Sequence, residues 1–100
     1  EHIAMIFRLT DAKLPEASRV LAVVAATRRR FLGPMHPLYL STLFCQGVCA
    51  LEALNRRQAL HYFQRCLSGR EKVLGPTHPD TTLTWAYIQS IRQNALQKVA

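Results

Sequence analysis

The phrase Leu32-Gly33-Pro34-Met35-His36-Pro37 returns as Leu74-Gly75-Pro76-Thr77-His78-Pro79, displaced by 42 residues. A phrase copied at one fixed offset points to stacked, repeated units rather than to one irregular core. Each unit in such a stack buries its apolar face only against its neighbours. The register extends well beyond the phrase. Ala17 answers Ala59, Arg28 answers Arg70, Arg30 answers Lys72, Thr42 answers Thr84, and the large apolar residues Leu21 and Val20 answer Phe63 and Tyr62. No insertion is needed to hold it. Loops accept insertions easily, so a gapless register implies short connections of defined structure. The 100 residues hold a little under two and a half units, which divide into a partial repeat 1–36, a repeat 37–78 and a partial repeat 79–100.

The spacing within each unit is helical. Between Leu14 and Leu32 apolar residues fall at 14, 17, 20, 21, 24, 25, 31 and 32, which is the rhythm of one helix face. Pro15 suits a first turn, where its missing N–H costs no hydrogen bond. Gly33 can take the left-handed conformation that closes a helix, and Pro34 blocks continuation. Pro37 opens the next helix, from Leu38 to about Ala53, and Asn55 marks a tight turn. Arg56 to Leu74 repeats the earlier helix with Ala59, Tyr62, Phe63, Cys66, Leu67 and Leu74 inward, and Pro79 begins another that runs to about Gln97. Residues 2–9 read as the remainder of a helix cut at its front. No segment alternates convincingly enough to be a strand. The expected fold is all-α, with antiparallel helical hairpins stacked side by side; HEAT-like pairs, of similar period, are the structural runner-up.

Composition narrows the function. At 49% apolar and with mean hydropathy near zero, the chain is of the globular class. Its longest apolar run, Val20 to Val24 and on to Ala26 if alanines count, falls far short of the ~20 residues of a membrane-spanning helix. The opening Glu1-His2-Ile3-Ala4-Met5 has an acid where a signal peptide has positive charge, and it reads as an excerpt of a longer chain. Three cysteines without framework spacing fit reduced thiols in the cytoplasm. Thirteen Lys and Arg against six Asp and Glu give a net charge of +7. The only dense basic run, Arg28-Arg29-Arg30, falls at a helix end, where cations meet the negative end of the dipole. Helix-end electrostatics therefore rank first, an acidic protein partner second and nucleic acid third.

The segment Arg70-Glu71-Lys72-Val73-Leu74-Gly75-Pro76-Thr77-His78-Pro79-Asp80-Thr81 closely resembles the R-E-K-V-L-G-x-x-H-P-D-V/T phrase of kinesin-light-chain-type tetratricopeptide repeats. The resemblance covers the chain in register, including Glu16-Ala17 against the E-A of that family's second helix. It implies a tetratricopeptide-type solenoid of about two and a half repeats. The first helix of each hairpin would line a concave groove, with Ser41, Phe44, Val48, Leu51 and Glu52 in the complete unit and Leu83, Ala86, Tyr87, Ser90 and Gln93 in the next. Leu43 and Trp85 match the large residue at which paired helices pack, Gly47 the small residue of closest approach, and Ala17 and Ala59 the small contact of the second helix. The chain also departs from the family pattern. The paired groove asparagines are replaced by Phe44-Cys45, Ala86-Tyr87 and His2-Ile3, and the glycine before the second helix by Leu54 and Ala12. Gln46 and Gln89 stand where Leu and Ala are usual.

Chemistry finds little support. Cys45 and Cys49, with His61 and Cys66, could supply four zinc ligands, but they lack the C-x₂-C knuckle, and buried cysteines commonly pack as small hydrophobes. His36 and His78 recur at the repeat offset, as parts of a turn would and a catalytic base would not. No nucleophile–base pair or glycine-rich phosphate loop is evident. The expected function is a protein-interaction scaffold without catalytic residue, metal or cofactor. A peptide or helix of a partner, acidic in character, would bind along Ser41, Phe44, Val48, Leu51, Tyr87 and Ser90. A structural segment of a large assembly and a basic nucleic-acid-binding surface are the alternatives. Fewer than three units is marginal for a free-standing array, so the chain is expected to continue into further repeats or to have its flanks covered by a partner.

Overall fold

The computed structural model describes residues 14–99, with side chains from 15 to 93. Among these residues the chain forms four α-helices and no strand: α1 Leu14–Leu32, α2 Pro37–Glu52, α3 Arg56–Val73 and α4 Pro79–Val99. The fold is an all-α helical-repeat solenoid in which each helix packs chiefly on its neighbours in sequence, α1 on α2, α2 on α3 and α3 on α4. The helix expected at residues 2–9 lies outside the described residues, as does Ala12.

The two copied corners have the same geometry. Gly33 and Gly75 take φ of +96° and +94°, a conformation that costs a side chain dearly and glycine nothing. Each glycine N–H closes the preceding helix by donating four residues back, to the Arg29 carbonyl at 3.1 Å and the Glu71 carbonyl at 3.2 Å. The histidine then starts the next helix. His36 Nδ1 accepts from the Leu38 N–H at 3.1 Å, and His78 Nδ1 from the Asp80 N–H at 3.0 Å. These imidazoles satisfy helix N–H groups that have no partner inside the helix. The histidines are helix caps.

The connection from α2 to α3 is built differently. Asn55 N–H donates to the Ala50 carbonyl at 2.9 Å and Leu54 N–H to the Leu51 carbonyl at 3.0 Å, the two crossed bonds of a Schellman closure. That closure requires a left-handed residue, and Leu54 supplies it at φ 63° with its side chain in solvent. Leu54 stands where the resembling family has glycine, and it pays a steric cost for doing so. Asn55 then caps α3, its side-chain oxygen accepting from the Gln58 N–H at 3.2 Å.

α2 is the buried centre of the stack, with a run from Thr42 to Ala50 that is buried except at Gln46. It approaches α3 closely because both helices present glycine at the contact. A Cβ on Gly47 would come within 2.7 Å of the Phe63 ring, and one on Gly69 would strike the Leu40 side chain. Ala17 and Ala59 are likewise buried at their helix contacts. In α1 the apolar rhythm is only partly inward. Leu21 and Ala25 are buried, whereas Val20, Phe31 and Leu32 are exposed, since α2 covers a single stripe of that helix. Trp85, the counterpart of buried Leu43, is 54% exposed. α2, which carries Leu43, packs on both α1 and α3, whereas among the described helices α4 packs chiefly on α3.

Candidate partner-binding surface

Residues 41, 44, 48 and 51 fall on one face of α2, and 83, 86, 90 and 93 on one face of α4, by helical spacing. The two helices meet through aromatic rings. Phe44 lies edge-on to Tyr87 at 5.1 Å between centroids and to Phe63 at 5.4 Å, and Phe63 lies 5.2 Å from Tyr87. Three helices are thus joined at one cluster, in separations favoured for aromatic pairs. The Arg70 guanidinium sits over the Phe44 ring at 5.0 Å.

This cluster alters the roles of the residues expected to touch a partner. Phe44 is 2% exposed and Val48 5%, so both lie inside the stack. Their apolar surface is already covered by α3, α4 and the neighbouring turns of α2, which leaves a partner nothing to bury. Tyr87 is half-buried and Leu51 partly so, both packed against the core. Ser41 is half-buried and Ser90 exposed. Leu83, Ala86 and Gln93 are exposed on α4. The solvent-facing strip therefore consists of Ser41, Leu51, Ser90 and these α4 residues, and the aromatic residues form its support.

Arg70 belongs to that support and was not singled out by the sequence. It is 2% exposed and donates to the Thr84 hydroxyl at 2.8 Å and to the Asp80 carbonyl at 3.2 Å. A buried guanidinium is tolerable only when its donors are satisfied. The signal was present as two matched pairs, Arg28/Arg70 and Thr42/Thr84. Arg28 makes the same bonds one unit earlier, to Thr42 Oγ1 at 2.9 Å and the Leu38 carbonyl at 3.1 Å. The basic run at the end of α1 thus divides its labour. Arg28 clamps the corner, Arg30 lies 5.4 Å from the centroid of the Phe31 ring, and Arg29 faces solvent.

The cysteines are buried singly. Cys66 donates to the Leu40 carbonyl at 3.3 Å and lies 4.0 Å from Thr84 Oγ1. Burial, and secondarily the nearby Glu52 carboxylate, push the Cys49 thiol above the ordinary thiol range. His61 is exposed, and among the described residues no group of three or more metal-ligating side chains converges. No described helix is long and apolar enough to cross a membrane.

Residues 52–80, from the end of α2 through α3 to the start of α4, match a family model described as a tetratricopeptide repeat. That match supports a tetratricopeptide-type repeat in this part of the chain, and such repeats generally mediate protein–protein interaction. No curated protein sequence matches the chain.

Proposed function

We propose that this chain is a non-catalytic scaffold for protein–protein interaction, built from tetratricopeptide repeats of the kinesin-light-chain type. Its units divide at 36/37 and 78/79 and belong to a longer array in a reducing, cytoplasmic setting. An extended peptide or helix of a partner lies along α2 and α4. Ser41, Leu51, Ser90 and the α4 residues Leu83, Ala86 and Gln93 make the contacts, and Phe44, Val48 and Tyr87 hold those helices in place. The net charge of +7 favours an acidic partner.

The observation that carries this reading is the Phe44–Tyr87 contact at 5.1 Å. It sets the first helices of consecutive hairpins side by side, with their equivalent faces adjacent. Preformed helices keep the ordering cost of binding low.

The test is a peptide-display selection against the chain, followed by fluorescence anisotropy of the enriched peptides on variants. Ala86→Glu and Ser90→Glu place bulk and negative charge on the exposed strip and should weaken binding by about tenfold or more, equivalent to about 1.4 kcal/mol. Arg57→Gln, on an exposed position of α3, should leave it unchanged. Peptides that bind all of these variants equally well would reject the α2/α4 strip as the site.

A further inference from the structure

Between α1 and α3, which both rest on α2, runs a cleft on a different surface from the α2/α4 strip. Its wider part, about 340 Å³, is lined by Ala26 and Arg29 of α1, Tyr39 and Gln46 of α2, and Tyr62 and Arg65 of α3. A narrower part of about 150 Å³ shares Gln46 and Tyr62 and continues towards Asn55 and Gln58.

The lining has an excess of hydrogen-bond donors. Arg65 Nη2 donates to the Tyr39 hydroxyl at 3.2 Å, which uses that oxygen as an acceptor and leaves its own proton to give. Among the described residues no acceptor takes that proton, no carboxylate pairs with Arg29 or Arg65, and Tyr62 and Gln46 form no side-chain hydrogen bond. No acidic residue lines either part of the cleft. Two guanidinium groups and two phenols facing one space call for a ligand that brings negative charge and acceptors.

The repeat does not require this arrangement. Forty-two positions upstream, Tyr62 and Arg65 correspond to Val20 and Val23; the same distance downstream, Arg29 corresponds to Glu71 and Gln46 to Ile88. Arg28 and Arg70, by contrast, recur because the corner needs them. The glutamine that departs from the family pattern at position 46 is thereby placed at the junction of both parts of the cleft.

We infer that the α1/α3 cleft is a second binding site, for an extended segment of a protein partner bearing Asp or Glu side chains. The guanidinium forks of Arg29 and Arg65 receive its carboxylates. The elongated course past Gln46 into the narrow part suits an extended polypeptide better than a free anion. Nucleic acid is disfavoured because the neighbouring cations of the Arg28–Arg30 run are engaged elsewhere, Arg28 in the corner and Arg30 on Phe31.

The experiment is fluorescence anisotropy on the chain at low salt with a labelled decapeptide alternating glutamate and serine, its glutamine counterpart, and a single-stranded oligonucleotide. The glutamate peptide should bind saturably, with affinity falling as salt is raised, and the glutamine peptide should not bind. Arg29→Gln and Arg65→Gln should each weaken it about tenfold. Ala26→Glu, at an exposed wall position, removes no contact and should weaken it comparably by occupying the cations with an internal carboxylate. Arg92→Gln, an exposed cation on α4, should leave it unchanged, and circular dichroism should give wild-type helicity for every variant. Affinity insensitive to Ala26→Glu and to the Arg29/Arg65 double variant would overturn the site. Equal binding of the glutamine peptide, or tighter Arg29-dependent binding of the oligonucleotide, would overturn its assignment to acidic peptide. Because Ala86→Glu probes the α2/α4 strip separately, failure of one site is distinguishable from failure of the other.

Discussion

Arg70 and Thr84 hydrogen-bond at 2.8 Å across the corner between α3 and α4, and the Thr84 hydroxyl in turn donates to the Asp80 carbonyl at 2.7 Å, the same carbonyl that Arg70 reaches. Arg28 and Thr42 repeat the triangle at the corner between α1 and α2, with Thr42 donating to the Leu38 carbonyl at 2.9 Å. The guanidinium thus ties the end of one helix to the first turn of the next. A glycine with positive φ lets the chain turn; the arginine fixes the angle at which the next helix leaves.

The two clamps should differ in energetic weight because they differ in burial. Arg70 is enclosed by Phe44 and its polar partners, while Arg28 is half-exposed. Arg70→Ala loses packing and leaves Thr84 short of a partner, and should cost about 2–4 kcal/mol. Water can replace the partners of Arg28, so Arg28→Ala should cost under about 1 kcal/mol. Urea denaturation of both variants measures the difference, and equal losses would contradict it.

Leu54 and Gly75 provide opposite backbone tests. Leu54→Gly relieves a left-handed leucine that contributes little burial at 85% exposure, and should stabilise the fold by about 0.5–1 kcal/mol after the entropy of the unfolded glycine is counted. Gly75→Ala meets no atom within 4 Å, yet should destabilise by about 1–2 kcal/mol through backbone strain alone. Thermal melts of the two variants should therefore shift in opposite directions.

Phe44 and Ser90 both fall on the expected contact strip, and stability separates them. Phe44→Ala opens a cavity among Phe63, Tyr87 and Arg70 and should cost about 3–5 kcal/mol. Ser90→Ala, on the exposed strip, should fall within about 0.5 kcal/mol of wild type. Chemical denaturation of the two variants checks this contrast.

Cys49 makes the fold sensitive to alkali. Its thiol is held above the ordinary range when folded, so above the unfolded value, about 8.5, the unfolded chain loses a proton that the folded chain keeps. The unfolded state then binds fewer protons, and stability falls as pH rises through that window. Urea midpoints measured from neutral to alkaline pH should decline, and Cys49→Ala should flatten the part of that decline due to this thiol. Thiol-reagent labelling of Cys49 should be slow at neutral pH.

Much of the architecture was legible because its causes are local. The Gly-Pro and His-Pro corners specify φ, chain direction and helix start within a few residues, so the boundaries of α1, α2, α3 and α4 could be read from residue types alone. Gly47 and Ala59 were legible through the resemblance, whose pattern keeps small residues where paired helices approach closely. The Arg70 core position was not, since arginine usually marks a surface and only the contact with Phe44 on another helix makes it interior. Phe44 and Val48 were misplaced by the same gap. Helical spacing says that they share a direction, but not whether a neighbouring helix already fills that space.

By itself the sequence determined a helical repeat with a 42-residue period, because turn chemistry and periodicity act over short distances and survive copying. Tertiary structure alone decided which faces are covered. Burial depends on where α3 and α4 lie over α2, and that arrangement turns Phe44 and Val48 into support while leaving Ser90, Ala86 and the Arg29–Arg65 cleft open to solvent.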